Sequence, residues 1–242
     1  MLFLPVSWSP FENKVARELI LETTYNRIWE RKTKTETEKQ HQKNCKCRAC
    51  EASKLFEGGY SFLDVGCGSG FLATLLAKRY KEYYGVDISP LALAKAAEKG
   101  VKVVNVDINE EQLPFEDGYF DAVACLDVIE HILNPFFLLK EINRVLRPGG
   151  TLVISTPNMR YWYHIMSLVV FGRFPRTSSD IEAYDGGHIH YFTRKDLAYL
   201  LRAHGFKVLN SSFLRNNFLG DFRFPGIILK GKKQTAIGSF GE

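Results

Sequence analysis

The sequence contains no hydrophobic run that approaches the ~20 residues needed to cross a bilayer as a helix. Its start, MLFLPVSWSP, is apolar, but it has neither the basic segment nor the long hydrophobic segment of a secretory signal peptide. No internal repeat and no RNA-binding module are present. We therefore expect a cytoplasmic protein, and a nucleic-acid substrate is disfavoured.

Cysteine is scarce, and its odd count of five does not suit a disulfide framework. Cys67 lies in a glycine-rich loop and Cys125 in a predicted buried strand. The other three, Cys45, Cys47 and Cys50, form a compact cluster that can bind zinc or another thiophilic metal. The second half of a zinc finger is missing, however, so a segment without metal is the alternative.

Charge of one sign is not in large excess, since the formal net charge is +5. Basic residues concentrate in 31–54 and 230–233. These clusters are compatible with a polyanionic partner or a membrane surface, but an ordinary solvated surface is the favoured explanation.

The 242 residues suit one domain with additions. Residues 1–57 are predicted to hold an amphipathic N-terminal helix (11–30) and a polar, cysteine-containing linker. The main domain is assigned to 58–231, with an inserted cap at 158–190, and 232–242 is predicted to be a flexible tail.

Within the main domain, strand-like and helix-like patterns alternate. Strands are predicted near 61–65, 83–87, 102–106, 120–126, 151–155, 206–213 and 224–231. Helices are predicted near 70–79, 90–99, 134–147 and 194–204. This α/β alternation predicts a parallel sheet covered by helices on both faces.

The most informative segment is LDVGCGSG, in which a strand runs into Gly66, Gly68 and Gly70 and a helix follows. Glycine permits tight turns and close approach of a ligand to the backbone. Strand, glycine loop and helix together form a typical nucleotide-binding arrangement.

Acidic residues follow the next strands at regular intervals. Asp87 ends the second predicted strand, where a carboxylate can bind two ribose hydroxyls. Asp107 ends the third and can meet an adenine amino group, while Ile88 and Ile108 can pack on the ring faces. The fourth strand ends in the acidic segment 127–130 at the same predicted edge of the sheet.

The segments LDVGCGSG, GVDIS, DINEEQLPFEDGYFDAV and LRPGGTLVISTPN together resemble the ordered motifs of class I S-adenosylmethionine-dependent methyltransferases of the type 11/12/23-like group. The resemblance implies a Rossmann-like seven-stranded sheet, mostly parallel with one antiparallel strand. It also implies the following cofactor-binding residues: Asp64, Gly66, Cys67, Gly68, Gly70, Asp87, Ile88, Asp107, Ile108, Leu126 and Asp127. A dinucleotide-dependent dehydrogenase fits less well, because the loop is G-x-G-x-G rather than G-x-G-x-x-G.

Residues 127–206 further resemble the methionine-biosynthesis-W-like and ubiquinone-O-methyltransferase-like branch. This implies O-methylation of a small-molecule or lipid-like acceptor. The aromatic cap suits an acceptor pocket or a peripheral membrane contact. The alternatives are a metal-dependent RNA 2′-O-methyltransferase and a non-catalytic regulator that binds S-adenosylmethionine.

Methylation of a hydroxyl needs a group that removes its proton. Our candidates for catalysis are His188, His131 and Glu130. In one mechanism His188 is a general base without metal. In the other, Glu130, His131 and His188, with Asp127 three residues before Glu130, resemble the Glu-x-x-Glu-His plus distal His arrangement of some RNA and quinone O-methyltransferases, except that Asp replaces the first Glu. This resemblance implies a bound Mg²⁺ or Zn²⁺, which would lower the pKa of the hydroxyl.

Overall fold

A mixed sheet organises the part of the chain that the computed structural model describes, which is residues 26, 47–76, 78–178, 184–209, 222 and 224–235. Its seven strands are β1 (Gly59–Val65), β2 (Tyr80–Asp87), β3 (Lys102–Asn105), β4 (Phe120–Leu126), β5 (Leu146–Pro157), β6 (Phe206–Leu209) and β7 (Gly226–Lys233). They lie in the order β3-β2-β1-β4-β5-β7-β6. Strand β7 is antiparallel to both of its neighbours, whereas β1 to β5 pair in parallel. The predicted α/β class and the single antiparallel strand are thus confirmed.

Helices cover both faces of this sheet. They are α1 (Arg48–Ser53), α2 (Phe71–Leu76), α3 (Pro90–Glu98), α4 (Pro135–Val145), α5 (Trp162–Phe171) and α6 (Arg194–Ala203), with 3-10 turns at Ile129–His131 and Tyr184–Gly187. Because side chains alternate along a strand, Phe62 packs into one hydrophobic cluster with α1, α2 and α3, whereas Leu63 packs into another with α4 and α6. The core therefore has two layers, one on each side of the sheet.

Helix starts follow from local side-chain chemistry. The Ser89 hydroxyl accepts a hydrogen bond from the backbone N–H of Ala92 at 3.2 Å, directly before Pro90. Thr193 and Asp196 form a reciprocal capping box at the start of α6. Both caps satisfy backbone donors that have no partner within the helix.

Helix α1 corrects part of our N-terminal prediction, because residues 48–53 are helical rather than linker. Cys47 Sγ accepts a hydrogen bond from the N–H of Cys50 at 3.4 Å. Ala52 and Phe56 are buried against the sheet. Of the predicted helix 11–30, only Asn26 is among the described residues, and it is helical. Cys45, residues 210–213 of the predicted sixth strand and most of the tail lie outside them.

The predicted cap leaves the carboxyl end of β5. Asn158 forms a bridge with Phe192, and the N–H of Met159 donates to the carbonyl of Phe192 at 3.1 Å. Helix α5 then follows, anchored by a hydrogen bond of 2.9 Å between Nδ1 of the buried His164 and the carbonyl of Asn158. Among the described helices, none combines the length and the apolar character that crossing a bilayer requires.

Candidate active site

The glycine loop lies at the carboxyl end of β1 and is tied to β2. Gly66, Gly68 and Gly70 have φ angles of +69°, +52° and +72°, in the left-handed region that favours glycine. The N–H groups of Gly66 and Cys67 both donate to the carbonyl of Val86, at 2.8 and 3.0 Å. The loop is thereby held against the end of the neighbouring strand.

Asp87 is half-buried at the end of β2, next to this loop. Its Oδ2 accepts a hydrogen bond from the N–H of Gly68 at 2.9 Å, and its Oδ1 accepts one from the N–H of Ser89 at 2.9 Å. These two bonds hold the carboxylate beside the glycine loop and the start of α3. Asn26 also reaches this point, because its Oδ1 accepts from the Ser89 hydroxyl at 2.5 Å.

Asp107, just beyond β3, presents an acceptor atom that the described residues do not satisfy. Its side chain is 7% exposed. Oδ1 accepts hydrogen bonds from the N–H and side-chain amide of Asn109, at 2.9 and 3.1 Å. Oδ2 is buried and has no hydrogen-bond partner. A ligand amino group is the kind of donor that would complete it. Ile88 and Ile108, the residues predicted to flank an adenine ring, are each partly buried.

Two further residues that the resemblance assigns to the cofactor, Asp64 in β1 and Cys67 in the loop, have buried side chains. Asp64 is buried, and its Oδ2 accepts a hydrogen bond from the Tyr83 hydroxyl at 3.0 Å. Burial raises the pKa of Asp64 to about 7. The Cys67 side chain packs in the core, where burial raises the pKa of its thiol far above the usual range. Any contact of Cys67 with a cofactor is therefore left to its backbone.

Asp127 closes the fourth strand in an unusual backbone conformation. Its φ is +55°, which is uncommon for a residue other than glycine. Its Oδ1 accepts a hydrogen bond from the Ser155 hydroxyl at 2.8 Å, and its Oδ2 forms an ion pair with Arg48 Nε at 2.9 Å. The preceding Leu126 packs against the core cluster on the α1 side. Arg48 and Ser155 thus fix the carboxylate of Asp127 from two sides.

Glu130 is buried with both carboxyl oxygens lacking a hydrogen-bond partner. Burial, with a further contribution from the negative charge of Asp127, raises the pKa of Glu130 to about 8. The Thr156 hydroxyl is buried and lies close enough to Glu130 to oppose this rise in pKa, although its geometry falls outside that of a hydrogen bond. Because an unpaired buried charge is costly, Glu130 is a neutral carboxylic acid at neutral pH.

His188 comes from the cap and meets Glu130 across the site. Its Nε2 lies 4.0 Å from Glu130 Oε1, and its Nδ1 lies 2.6 Å from Thr177 Oγ1. Burial lowers the pKa of His188, although Asp185 acts in the opposite direction. The ring of His131 approaches edge to face, with 4.6 Å between ring centroids.

The structure thus brings together the three predicted catalytic residues. Ligand atoms of Glu130, His131 and His188 all lie within 4.8 Å of one another. Two imidazoles and one carboxylate suit Zn²⁺ or a similar transition metal better than Mg²⁺, which prefers oxygen ligands. The cluster Cys45, Cys47 and Cys50 is described only in part, so a metal there remains a prediction.

Sequence reasoning missed several residues that shape the site. Arg48 contacts Asp127 from a distant helix, Thr177 and Asp185 contact His188 from the same part of the cap, and Thr156 lies near Glu130. Thr156 lies in the segment LRPGGTLVISTPN, whereas the other three belong to no motif and follow no periodic pattern. The position of Thr156 at the end of a strand could have identified it as a candidate site residue, whereas the sequence gives no such signal for the other three.

Comparison with known proteins agrees with this geometry. Residues 63–154 match the family described as "Methyltransferase domain". The chain is 33% identical over 135 residues to the ubiquinone biosynthesis O-methyltransferase of Pseudomonas paraeruginosa, covering 52% of this chain and 58% of the relative. It is 41% identical over 108 residues to the protein of that name from Dechloromonas aromatica, covering 41% and 45%.

The matches thus span about half the length of these curated relatives. In fold, the chain is similar to the crystal structure of a SAM-dependent methyltransferase from Thermotoga maritima, with a TM-score of 0.58 and 21% identity. That likeness covers 77% of this chain and 87% of the other. In its sheet order, glycine loop and strand-end acids, the chain is similar to class I S-adenosylmethionine-dependent methyltransferases, and residues 63–154 match a methyltransferase domain.

Proposed function

We propose that this protein transfers a methyl group from S-adenosylmethionine to a hydroxyl of a small-molecule or lipid-like acceptor. One observation supports this most strongly. Five buried side-chain atoms lack hydrogen-bond partners among the described residues, and they belong to Asp107, Glu130, Thr156 and His190. The first three residues follow or end β3, β4 and β5, and His190 lies in the cap. Buried polar groups are normally paired, so this edge is where ligands would complete them.

In this proposal the cofactor occupies the edge beside β1, β2 and β3. Gly66, Gly68 and Gly70 allow the methionine portion to approach the backbone. Asp87 accepts hydrogen bonds from the ribose, and the unpaired Oδ2 of Asp107 accepts one from the adenine amino group. Ile88 and Ile108 pack on the ring. Asp64, Leu126 and Asp127 support the loop and the β4 end from below.

The chemical step requires positioning and removal of one proton. When bound, S-adenosylmethionine supplies a sulfonium-activated methyl group. The protein holds the acceptor hydroxyl in line with it, which is the main source of acceleration in such a displacement. His188 accepts the hydroxyl proton at Nε2, and burial keeps this imidazole neutral by lowering its pKa. Glu130, protonated at neutral pH, donates a hydrogen bond to the acceptor.

A metal-assisted form of the same reaction is the second candidate. The convergence of Glu130, His131 and His188 within 4.8 Å favours it. A metal held there would polarise the acceptor hydroxyl and lower its pKa. Both forms assign the same three residues to the acceptor side. They differ in whether added Zn²⁺ or Mg²⁺ raises turnover.

The acceptor class rests on two observations. The relatives with matching sequence are named for ubiquinone biosynthesis. Helix α5, which leaves the site edge, also exposes large apolar side chains, including Val169 at 75% and Phe171 at 69%. Such a surface suits contact with a lipid-like acceptor or peripheral contact with a cytoplasmic membrane surface. Co-sedimentation with phosphatidylcholine vesicles, compared for the wild type and Val169→Lys, tests that contact.

The assignment of Asp107 to the cofactor is tested by a substitution that replaces a hydrogen-bond acceptor with a donor. Asp107→Asn keeps a carbonyl for Asn109 but turns a donor toward the adenine amino group. Affinity for S-adenosylhomocysteine should fall about tenfold or more, since a hydrogen bond to a charged group contributes about 1.5–3 kcal/mol. The variant should regain affinity for S-inosylhomocysteine, whose ring carries an acceptor at that position. Calorimetry that shows equal losses for both ligands would contradict the placement of Asp107.

The activity itself is tested with a screen of phenolic and quinol acceptors. His188→Ala should bind S-adenosylhomocysteine like the wild type but turn over far more slowly. Full activity in this variant would remove His188 from the mechanism. If the wild type binds cofactor but methylates no acceptor, the non-catalytic regulator becomes the better explanation. A steep loss of acceptor binding with added salt would instead favour RNA as the substrate.

A further inference from the structure

Asp185 anchors a hydrogen-bond network behind His188. It is 1% exposed, and its Oδ1 accepts hydrogen bonds from the N–H groups of Thr177 and Ser178. Its Oδ2 accepts from the Thr177 hydroxyl at 2.8 Å and from the Tyr191 hydroxyl at 3.1 Å. All four bonds come from donors, two backbone N–H groups and two hydroxyls. Asp185 is therefore an ionised carboxylate that only accepts hydrogen bonds.

The Thr177 hydroxyl has one proton and two close polar neighbours. Its oxygen lies 2.8 Å from Asp185 Oδ2 and 2.6 Å from His188 Nδ1. A carboxylate oxygen and a hydroxyl oxygen at this distance repel each other unless the hydroxyl proton lies between them. The proton therefore points to Asp185, and the contact with the imidazole needs a proton from Nδ1.

We propose that Asp185 and Thr177 are positioning residues that fix neutral His188 as its Nδ1–H tautomer. This tautomer leaves the lone pair on Nε2, the nitrogen that faces Glu130 Oε1 at 4.0 Å. The lone pair is then available at the acceptor side whether His188 takes a proton or holds a metal. The inference deepens the proposed function and rests on it for its catalytic meaning, but the tautomer is a property of the protein alone.

The backbone supports this arrangement. Asp185 adopts a φ of +54°, a conformation that costs free energy outside glycine and persists only where surrounding contacts enforce it. The N–H of His188 donates to the carbonyl of Asp185 at 3.3 Å, and Tyr191 reaches both residues with its hydroxyl. The turn Tyr184–Gly187 thus holds the carboxylate and the imidazole in one fixed relation.

Nitrogen NMR of protein labelled in its histidine rings measures the tautomer directly. Protonated and bare ring nitrogens resonate at well-separated frequencies, and the His188 signals are assigned by their loss in His188→Gln. At a pH where His188 is neutral, the wild type should show Nδ1–H. Thr177→Ser should keep this form, because it retains the hydroxyl. Thr177→Val should shift the population toward Nε2–H, the form that free histidine prefers.

Turnover provides the second readout. Thr177→Val should lower kcat by about 10- to 100-fold, the usual effect of removing the partner that orients a functional histidine. Its affinity for S-adenosylhomocysteine should stay unchanged, and Thr177→Ser should restore kcat. An Nε2–H tautomer in the wild type overturns the proposal, even if no variant folds. An unchanged tautomer in folded Thr177→Val overturns it as well. If the wild type shows Nδ1–H but transfers no methyl group, the proposed function fails while the positioning role stands.

Discussion

Gly66 offers a quantitative test of how the cofactor loop is packed. A Cβ added there would lie 2.3 Å from Val128 Cγ2, in a backbone conformation with φ of +69°. For Gly66→Ala, the left-handed conformation costs about 1–2 kcal/mol and the overpacking about 1–3 kcal/mol. We therefore expect the free energy of unfolding to fall by about 2–5 kcal/mol.

Two further variants separate these contributions. Gly118 has the same φ of +69°, but an added Cβ would find its nearest neighbour, Arg147 Cα, at 3.7 Å. Gly118→Ala should therefore show the conformational cost alone, about 1–2 kcal/mol. Val128→Ala removes the clashing methyl group and leaves its own Cβ at 3.5 Å from the new one, an ordinary contact. The double variant of Gly66 and Val128 should be more stable than the sum of the single effects predicts, by about 1–3 kcal/mol.

Urea unfolding of the four proteins and the wild type measures these values. Calorimetry then measures whether the double variant, with its repacked loop, still binds S-adenosylhomocysteine. The reasoning would be refuted if Gly66→Ala were no less stable than Gly118→Ala, or if the Gly66 and Val128 effects simply added. Either result would mean that the loop does not press against the turn that leads to Glu130.

Two predictions concern stability elsewhere in the fold. The unfolded chain loses the Glu130 proton near pH 4.5 and the folded protein near pH 8, so this group makes stability fall as pH rises through that window. Glu130→Gln lacks this titrating group, so its stability relative to the wild type should increase from about pH 5 to 8 and then level off. If urea unfolding shows a difference that does not change with pH, the raised pKa of Glu130 is wrong. Thr193→Ala should lower the free energy of unfolding by about 0.5–2 kcal/mol, because it removes the cap of α6, whereas Thr193→Ser keeps the hydroxyl and should lower it much less. Thermal unfolding of both variants distinguishes loss of the cap from a general loss of packing.

The residues that we propose for the cofactor half of the site could be selected from the sequence, because each of their features is local. The glycine loop is recognised by its own residues, and Asp87 and Asp107 are recognised by their positions after hydrophobic strands. A parallel sheet then brings these strand ends to one edge without further information. The order of the motifs along the chain therefore predicts which residues meet at this edge of the sheet.

The contacts around the acceptor side were not predictable in this way. Arg48 reaches Asp127 from a helix that our sequence analysis treated as linker. That helix has six residues, too few to show a periodic pattern, and a helix this short depends on tertiary packing, here the burial of Ala52 and Ser53. Thr177 and Asp185 meet His188 through an irregular turn of the cap, for which no periodicity exists.

Buried polar atoms without hydrogen-bond partners occur in both the proposed cofactor half and the proposed acceptor half, which indicates that the two halves form one site. Folding a chain with unpaired buried polar groups costs free energy, and native proteins keep such groups few. Here the atoms without partners among the described residues all lie at the carboxyl edge of the sheet or in the cap above it. In the proposed function, Asp107 contacts the cofactor, whereas Glu130 and Thr156 face the acceptor. This pattern is what two ligands bound side by side would require, since each must supply the partners that the protein itself leaves out.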